Sequence, residues 1–251
     1  MPSLFGAGGQ RSMLNLAHGI AKRGHAVDLV LARAEGAFLG EVRSPVRMVD
    51  LKASRALTSL PALVRYLRRE RPEAMVSVFG YVNVIALWAR RLAGTDTRLF
   101  VNEQNTVSQE AGGASNWRAR LVPRLIQRFY PWADGITVVS HGVRDDLAAL
   151  TGIPRQRISV IYNPSVVEAE VREKARAALD HPWFRPGQPP VVLAVGRLQV
   201  QKDYPTLIHA FAQLRRSRPA RLMILGEGKE RPRLEELVRG LGLEQDVSLP
   251  G

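Results

Sequence analysis

The chain has 251 residues, 45% of them hydrophobic, enough to bury one large core or two modest ones. It contains no cysteine, which excludes disulfides and thiolate chemistry, and its longest near-apolar stretch, residues 74–89, is broken by Gly80 and Asn83 and falls short of a bilayer span. The formal net charge of +13, carried mostly by arginine, favours anionic partners (nucleic acid, a phosphorylated substrate or an acidic leaflet) without choosing among them.

The N-terminal MPSLFGAGGQRS has no basic segment followed by an apolar one, so no signal peptide is expected and a cytoplasmic, soluble protein is. A glycine turn at Gly6, Gly8 and Gly9 then feeds a helix with Met13, Leu14, Leu16, Ala17, Ile20 and Ala21 on one face. Gly24 ends that helix and Val27 to Leu31 form a strand. Free backbone N–H groups and the positive helix end beside Gly8 and Gly9 suit a phosphate. A dinucleotide fingerprint read from Gly6 fails, because it requires glycine where Arg11 stands. No glycine-lysine pair is followed by Ser or Thr, so NAD and ATP sites are both unsupported. His18 and His25 fit structural roles on the helix and in the turn after it.

A short strand is expected at Val46 to Leu51. A helix over Leu60 to Arg69 follows, with Leu63, Val64 and Leu67 inward and Arg65, Arg68 and Arg69 outward. AMVSVFG reads as a strand running into the helix VNVIALWARRLAG. Thr97 to Asn105 is strand-like and then polar, ending on Glu103, Gln104 and Asn105. Between Ser115 and Ala133, the residues Trp117, Leu121, Leu125, Ile126, Phe129 and Trp132 alternate with Arg118, Arg120, Arg124 and Arg128. That pattern fits a core-facing stripe with a solvated opposite face, or alternatively a nucleic-acid or membrane surface. GITVVS and ISVIYNP are strands flanking a helix, with Ser140 at a strand end and His141 at the start of the helix.

After Pro164 the composition turns charged and then proline-rich, which suggests a domain junction and domains of 1–165 and 166–251. Val191 to Val195 reads as a buried strand, followed by Gly196 and by a helix from Asp203 or Tyr204. That helix carries Leu207, Ile208, Phe211 and Leu214 on one face and Pro205 in its first turn. Arg197 and Lys202 fall between them, at the carboxyl end of a strand and beside a helix start, where α/β sheets bind ligands; an anion is the natural guest. As two of 36 basic residues, they fit a solvated surface pair equally well on spacing alone. The strand RLMILGEG, a helix on Leu234, Leu237, Val238 and Leu241, and DVSLPG complete an alternation of strand and helix at doubly wound spacing.

The stretch from Gly196 to Phe211, G-R-L-x-x-Q-K-D-x-x-x-L-I-x-A-F, resembles the donor-site signature of glycosyltransferase family 4, retaining enzymes of the GT-B fold. Softer matches are Gly8-Gly9 with the helix after it and Arg23-Gly24-His25, Ala133-Asp134 through Ser140, Val160 through Pro164, and Gly226-Glu227-Gly228. The resemblance implies an α/β protein of two Rossmann-like, doubly wound domains facing a cleft. The first would be acceptor-side with its opening strand shortened, and the second an incomplete nucleotide-sugar domain. It also implies that Arg197 and Lys202 hold the donor diphosphate and serve catalysis, with Gly8 and Gly9 facing the donor. Relatives often carry a His where Gln104 stands; Gln104 cannot act as acid or base, so Glu103, Gln104, Asn105 and Ser140 are carried over only as substrate contacts by hydrogen bonding.

The implied reaction moves a sugar, with retention, from a nucleotide diphosphate sugar of the uridine type to a glycan or lipid-linked acceptor, with no cofactor. No Asp-x-Asp occurs, so fixed cations would do the work of a metal ion, and no metal site is expected. Retaining relatives carry an E-x7-E motif after a strand that here ends the chain at Leu249-Pro250-Gly251. Glu227 and Glu235 show the spacing but sit too early, and are expected to be a coincidence. The chain is therefore expected to be truncated at both ends, to leave an edge of its second sheet exposed, and to be inactive alone. Peripheral contact with the inner face of the cytoplasmic membrane accompanies the resemblance. The alternatives are a basic nucleic-acid-binding module and a membrane-surface protein without catalysis.

Overall fold

The computed structural model describes residues 1–6, 8–112, 117–164 and 168–251. The chain divides into two compact units, Met1–Val171 and Arg172–Gly251. The expected boundary at 165/166 lies outside the described residues, as do Ser115 and Asn116 and the side chains of Trp117, Arg118 and Arg120.

In the first unit, α1 (Gly8–Ala21) is followed by β1 (Val27–Leu31), β2 (Val46–Asp50), α2 (Leu60–Glu70), β3 (Ala74–Val78), α3 (Gly80–Ala93) and β4 (Arg98–Glu103). Then come α4 (Val107–Gly112), α5 (Trp117–Phe129), β5 (Gly135–Val138), α6 (His141–Thr151) and β6 (Ile158–Val160), with α7 (Glu168–Lys174) at the junction. Strands β1 and β2 pair in parallel, and β3-β4-β5-β6 form a second parallel sheet. Parallel strands covered by helices read as apolar runs, as in β4 and β5, whereas Met48 of β2 and Val76 of β3 are exposed. Leu99, Val101 and Val138 pack with Ile126 of α5 and Leu147 of α6, all fully buried.

Short helices α4 and α7 were not apparent in the sequence; α4 has only six residues, too few for an apolar period to show. Before α1, the extended residues Met1 to Leu4 ladder onto the end of β1. Ala32 N–H donates to the Met1 carbonyl at 2.9 Å and Leu4 N–H to the Glu35 carbonyl at 2.8 Å, and Leu4 is fully buried.

On α2 the inward residues are Leu63, Leu67 and also Tyr66, while Arg65, Arg68 and Arg69 are exposed. Arg68 is not merely solvated: its guanidinium donates to the Leu92 carbonyl at 2.8 Å, capping the end of α3. His18 has the structural role expected of it, its Nε2 accepting from Arg43 N–H at 3.3 Å.

Tyr66 also reaches across to β1, where its hydroxyl donates to Asp28 Oδ2 at 2.7 Å. Asp28 faces Arg47 in the parallel register of β1 and β2, and Arg47 Nε donates to Asp28 Oδ1 at 2.7 Å. The Arg47 guanidinium holds the Asp28 carboxyl below its ordinary range, against the opposing effect of burial, with Tyr66 assisting. A carboxyl lowered in this way stabilises the fold above its unfolded value, and the stabilisation is lost as pH falls through the lowered value. Asp28→Asn is expected to lower Tm by about 4 °C at pH 7 and by progressively less as the pH falls below the ordinary carboxylate range. A thermal melt series of both proteins across that range checks it; a difference that persists at low pH would mean the carboxylate charge is irrelevant.

The second unit comprises β7 (Val191–Val195), α8 (Tyr204–Ser217), β8 (Arg221–Leu225), α9 (Arg231–Gly240) and β9 (Val247–Ser248). Its sheet, β7-β8-β9, is parallel throughout. Ile208, Phe211, Leu222, Ile224, Leu234 and Val238 form its core.

Two expectations are corrected here. Leu241 lies past the end of α9 and is exposed, because the apolar stripe closes on Val238 and Leu243 instead. Strand β7 is not buried: Val192, Leu193 and Val195 are 38%, 54% and 70% exposed. It is the outer strand of its sheet, and residues 192 and 193 point to opposite faces, so both faces of β7 are open as well as one edge.

Candidate functional site

In the second unit, β7 ends at Gly196 and the chain passes through Arg197 and the fully buried Leu198 into a single turn of 3-10 helix, Val200–Lys202. Asp203 then takes a left-handed conformation, φ 48°, and turns the chain into α8. The buried Tyr204 donates its hydroxyl proton to the Gly196 carbonyl at 3.0 Å, tying the first residue of α8 back to the end of the strand. A Cβ on Gly196 would stand 2.9 Å from the Tyr204 hydroxyl and 3.4 Å from Cε of Lys202. The missing side chain is what lets the lysine stem lie across the turn.

From behind, this loop rests on the turn after β8. Leu198 N–H donates to the Glu227 carbonyl at 2.9 Å and Glu230 N–H to the Leu198 carbonyl at 3.1 Å. Gly226 adopts φ 147°, and a Cβ there would be 2.1 Å from the Gly196 carbonyl oxygen; one on Gly228 would be 2.1 Å from the Leu198 carbonyl oxygen. Gly226-Glu227-Gly228 is thus a close-packed backbone support for the loop that carries the cations.

Arg197 and Lys202 are both exposed. Among the described residues neither side chain has an acidic partner, whereas Arg215, Arg231 and Arg233 do. Two uncompensated cations at a strand's carboxyl end, beside the N-terminus of α8, form a surface suited to a diphosphate.

The spacing of Glu227 and Glu235 has a structural origin. Both carboxylates pair with Arg231, the first residue of α9, at 2.7 and 3.0 Å, Glu227 from the turn four residues before it and Glu235 from the helix four residues after it. Arg231 also donates to the Leu249 carbonyl at 2.9 Å, and its guanidinium holds the Glu227 carboxyl below the ordinary range. These acids clamp α9 to the end of β9.

In the first unit, Gly8 and Gly9 are the first two residues of α1. They differ in what they require. A Cβ on Gly8 would meet nothing within 4 Å, while one on Gly9 would press to 3.1 Å from Gln104 Oε1. Gln104 and Asn163 exchange amide hydrogen bonds, Asn163 Nδ2 donating to Gln104 Oε1 at 2.6 Å and Gln104 Nε2 to Asn163 Oδ1 at 3.3 Å. The end of β4 and the segment after β6 therefore brace one another beneath the start of α1. Arg11, where a dinucleotide fingerprint needs glycine, is engaged with Glu41 and stacks 3.9 Å from the Phe38 ring.

A cavity of about 390 Å³ opens at the carboxyl ends of β3 and β4, lined by Glu103, Gln104, Asn105, Gln10, Phe79 and Tyr81 among others. Three of the four expected substrate contacts thus share one site. Ser140 does not line it; its hydroxyl accepts from Val143 N–H at 3.2 Å and caps α6.

Glu103 is only 2% exposed. The Tyr130 hydroxyl donates to Glu103 Oε1, and Asn83 Nδ2 donates to the Tyr130 hydroxyl oxygen at 2.8 Å and to Glu103 Oε1 at 3.2 Å. Burial, and then the Glu103 charge, push the Tyr130 phenol well above its ordinary range, so it remains a donor. Neither Asn83 nor Tyr130 emerged as a site residue from the sequence. The available signal was a single asparagine inside an otherwise apolar helix, since a buried amide demands partners.

A family model described as Glycosyltransferase Family 4 matches residues 6–168, and one described as Glycosyl transferases group 1 matches residues 176–251. The chain belongs to glycosyltransferase family 4. A curated family relative, the N-acetylgalactosamine-N,N'-diacetylbacillosaminyl-diphospho-undecaprenol 4-alpha-N-acetylgalactosaminyltransferase of Campylobacter jejuni, is 34% identical over 171 residues. That alignment covers 67% of this chain and 43% of the relative, so this family 4 chain spans under half of the relative's length.

Among solved structures, sucrose-phosphate synthase from Thermosynechococcus elongatus superposes with a TM-score of 0.69 at 17% identity, covering 100% of this chain and 66% of that one. Anabaena HepE in complex with UDP and glucose gives 0.65 at 21% identity, covering 100% and 69%. The fold is of the GT-B glycosyltransferase type, as the family resemblance implies.

Proposed function

We propose that this family 4 chain binds a nucleotide diphosphate sugar of the uridine type and, within the complete enzyme, transfers its sugar with retention to a glycan or lipid-linked acceptor. The observation that carries this reading is the pair Arg197 and Lys202, exposed at the end of β7 and without an acidic partner among the described residues. The UDP and glucose named for HepE and the diphospho-undecaprenol named for the Campylobacter jejuni relative support the donor and acceptor classes. On this reading the donor side lies in residues 166–251 and the acceptor side in 1–165.

The chemistry asked of the pair is charge stabilisation. As the bond from the anomeric carbon to the diphosphate oxygen breaks, its electron pair passes to the leaving diphosphate and the sugar becomes oxocarbenium-like. The acceptor oxygen then bonds to the same face and passes its proton to the departing diphosphate oxygen. Fixed cations aimed at the leaving group lower that barrier because they need no reorganisation as charge develops.

An acceptor on a lipid diphosphate also fits peripheral contact with an anionic leaflet, for which Arg65 on α2 and Arg124 and Arg128 on α5 offer exposed positive charge. Among the described residues no helix is long and apolar enough to cross a membrane.

Calorimetric titration of the chain with UDP and with UMP tests the central point. A site that grips a diphosphate is expected to bind UDP at least about tenfold more tightly than UMP. Equal affinities, or no binding of either nucleotide, would reject it.

A further inference from the structure

We propose that Asp203 is a specificity-determining residue of the diphosphate surface, favouring a nucleotide diphosphate esterified by a sugar over the free nucleotide diphosphate that transfer releases. The proposal rests on the reading of Arg197 and Lys202 as the diphosphate pair and adds a third charge to it.

The Asp203 side chain has no structural task in its turn. It belongs to the residue before α8, where an aspartate ordinarily caps the helix by accepting from the N–H of the second or third helical residue. Here the second is Pro205, which has no N–H, and the Asp203 side chain makes no capping bond. The acids of the neighbouring turn, Glu227 and Glu230, are taken by Arg231 and Arg233. Among the described residues Asp203 has no such partner, although Lys202 directly precedes it. Its backbone sits at φ 48° and ψ 43°, in the left-handed region that glycine and asparagine enter at least cost. An acid is thus held in a strained conformation, exposed and unpaired, in the turn that carries the two cations.

The turn keeps the acid in place. Asp203 N–H donates to the Val200 carbonyl at 3.1 Å and Lys202 N–H to the Gln199 carbonyl at 2.9 Å, while the next residue, Tyr204, is buried and bonded to the Gly196 carbonyl. Adjacent α-carbons lie about 3.8 Å apart, so an anion held by Lys202 falls within the roughly 10 Å over which charges act at ordinary ionic strength.

The preference follows from the charges. The surface offers two positive charges, Arg197 and Lys202, and one negative, Asp203. A sugar-esterified diphosphate carries two negative charges, and the free diphosphate gains a third on its terminal phosphate above a pKa of about 6. The carboxylate repels both ligands, and the free diphosphate more. Because these groups are solvated, the difference is a few-fold rather than orders of magnitude. In the complete enzyme the spent nucleotide would leave more readily than the donor.

The test is calorimetric titration, at pH 8 and low salt, of the chain and of Asp203→Asn and Asp203→Gly with three probes. These are UDP, UDP-glucose and the β-methyl ester of UDP, which has the charge of UDP-glucose and no sugar. Both substitutions suit the left-handed backbone, so the fold is kept. Each is expected to tighten UDP by about fourfold and the two esters by about twofold, moving the preference about twofold toward UDP. Agreement between Asn and Gly, which differ in side chain and backbone freedom, is what a purely structural role would not produce.

An affinity ratio of UDP to UDP-glucose that the substitutions leave unchanged would overturn the proposal. So would a ratio that moves for UDP-glucose and not for the methyl ester, since sugar contacts rather than charge would then be responsible. Opposite shifts in the Asn and Gly variants would overturn it as well, by tracing the effect to the backbone. Failure of the unmodified chain to bind any of the three probes would remove the diphosphate reading and this proposal together, whereas binding with unchanged ratios removes this proposal alone.

Discussion

Arg197→Ala is expected to raise the Kd for UDP by about ten- to a hundredfold, with the thermal stability of the second unit unchanged. The side chain is exposed, and among the described residues it has no acidic partner, so its removal breaks no internal bond and leaves no buried group unsatisfied. Whatever is lost is therefore interaction with the ligand. Arginine presents paired N–H donors that match two phosphate oxygens, and a lysine at the same position delivers only a point charge; Arg197→Lys is expected to recover part of the affinity and not all of it.

Lys202→Ala should follow the same direction with a smaller effect, since its ammonium is more strongly hydrated when free. Glu235→Gln is the control. It loosens the clamp on Arg231 without touching the proposed anion surface, and UDP affinity should not move. Calorimetry on the four variants decides the matter, and an Arg197→Ala protein that binds UDP as the parent does would remove the main support for the functional reading.

Gly226→Ala should be more damaging still, acting on the backbone rather than on charge. A methyl group there would lie 2.1 Å from the Gly196 carbonyl oxygen, well inside contact distance, and φ 147° is a conformation that side chains rarely adopt. Neither neighbour can yield cheaply, because Gly196 N–H is bonded to the Leu225 carbonyl at 2.9 Å and its own carbonyl accepts from Tyr204. The loop between β7 and α8 must shift or the turn after β8 must open. A loss of about 3 kcal/mol in folding stability is expected, together with loss of UDP binding at temperatures where the protein remains folded. Chemical denaturation and calorimetry on the same sample separate the two effects. A variant with parental stability and affinity would show that the glycine turn does not support the cation loop.

The strands and helices were largely legible in the sequence because apolar spacing and turn residues are local signals. Val27 to Leu31, Val46 onward, the helix from Tyr204 and the one carrying Leu234 and Val238 all form where the pattern places them. The family was legible too, in the run from Gly196 to Phe211, since a loop that must turn at a strand end, expose two cations and start a helix tolerates few residue types. Exposure was harder to read. Strand β7 has the composition of a buried strand, yet which neighbours cover a strand is settled by sheet order, and its place at the edge leaves Leu193 and Val195 open.

The sequence by itself determined an α/β chain, most of its elements and its family, and it singled out the two cations proposed to hold a diphosphate. Only the tertiary structure decided that a side chain on Gly9 would press on Gln104 while one on Gly8 would meet nothing, that Ser140 caps a helix, and that Glu227 and Glu235 are taken up by Arg231. It also brought Asn83, Glu103 and Tyr130 together from a helix, a strand end and the turn after another helix. The physical reason is range. Periodicity and turn chemistry act over a few residues, whereas the burial of a carboxylate and the donors that satisfy it depend on side chains tens of residues apart, meeting where separate strands end.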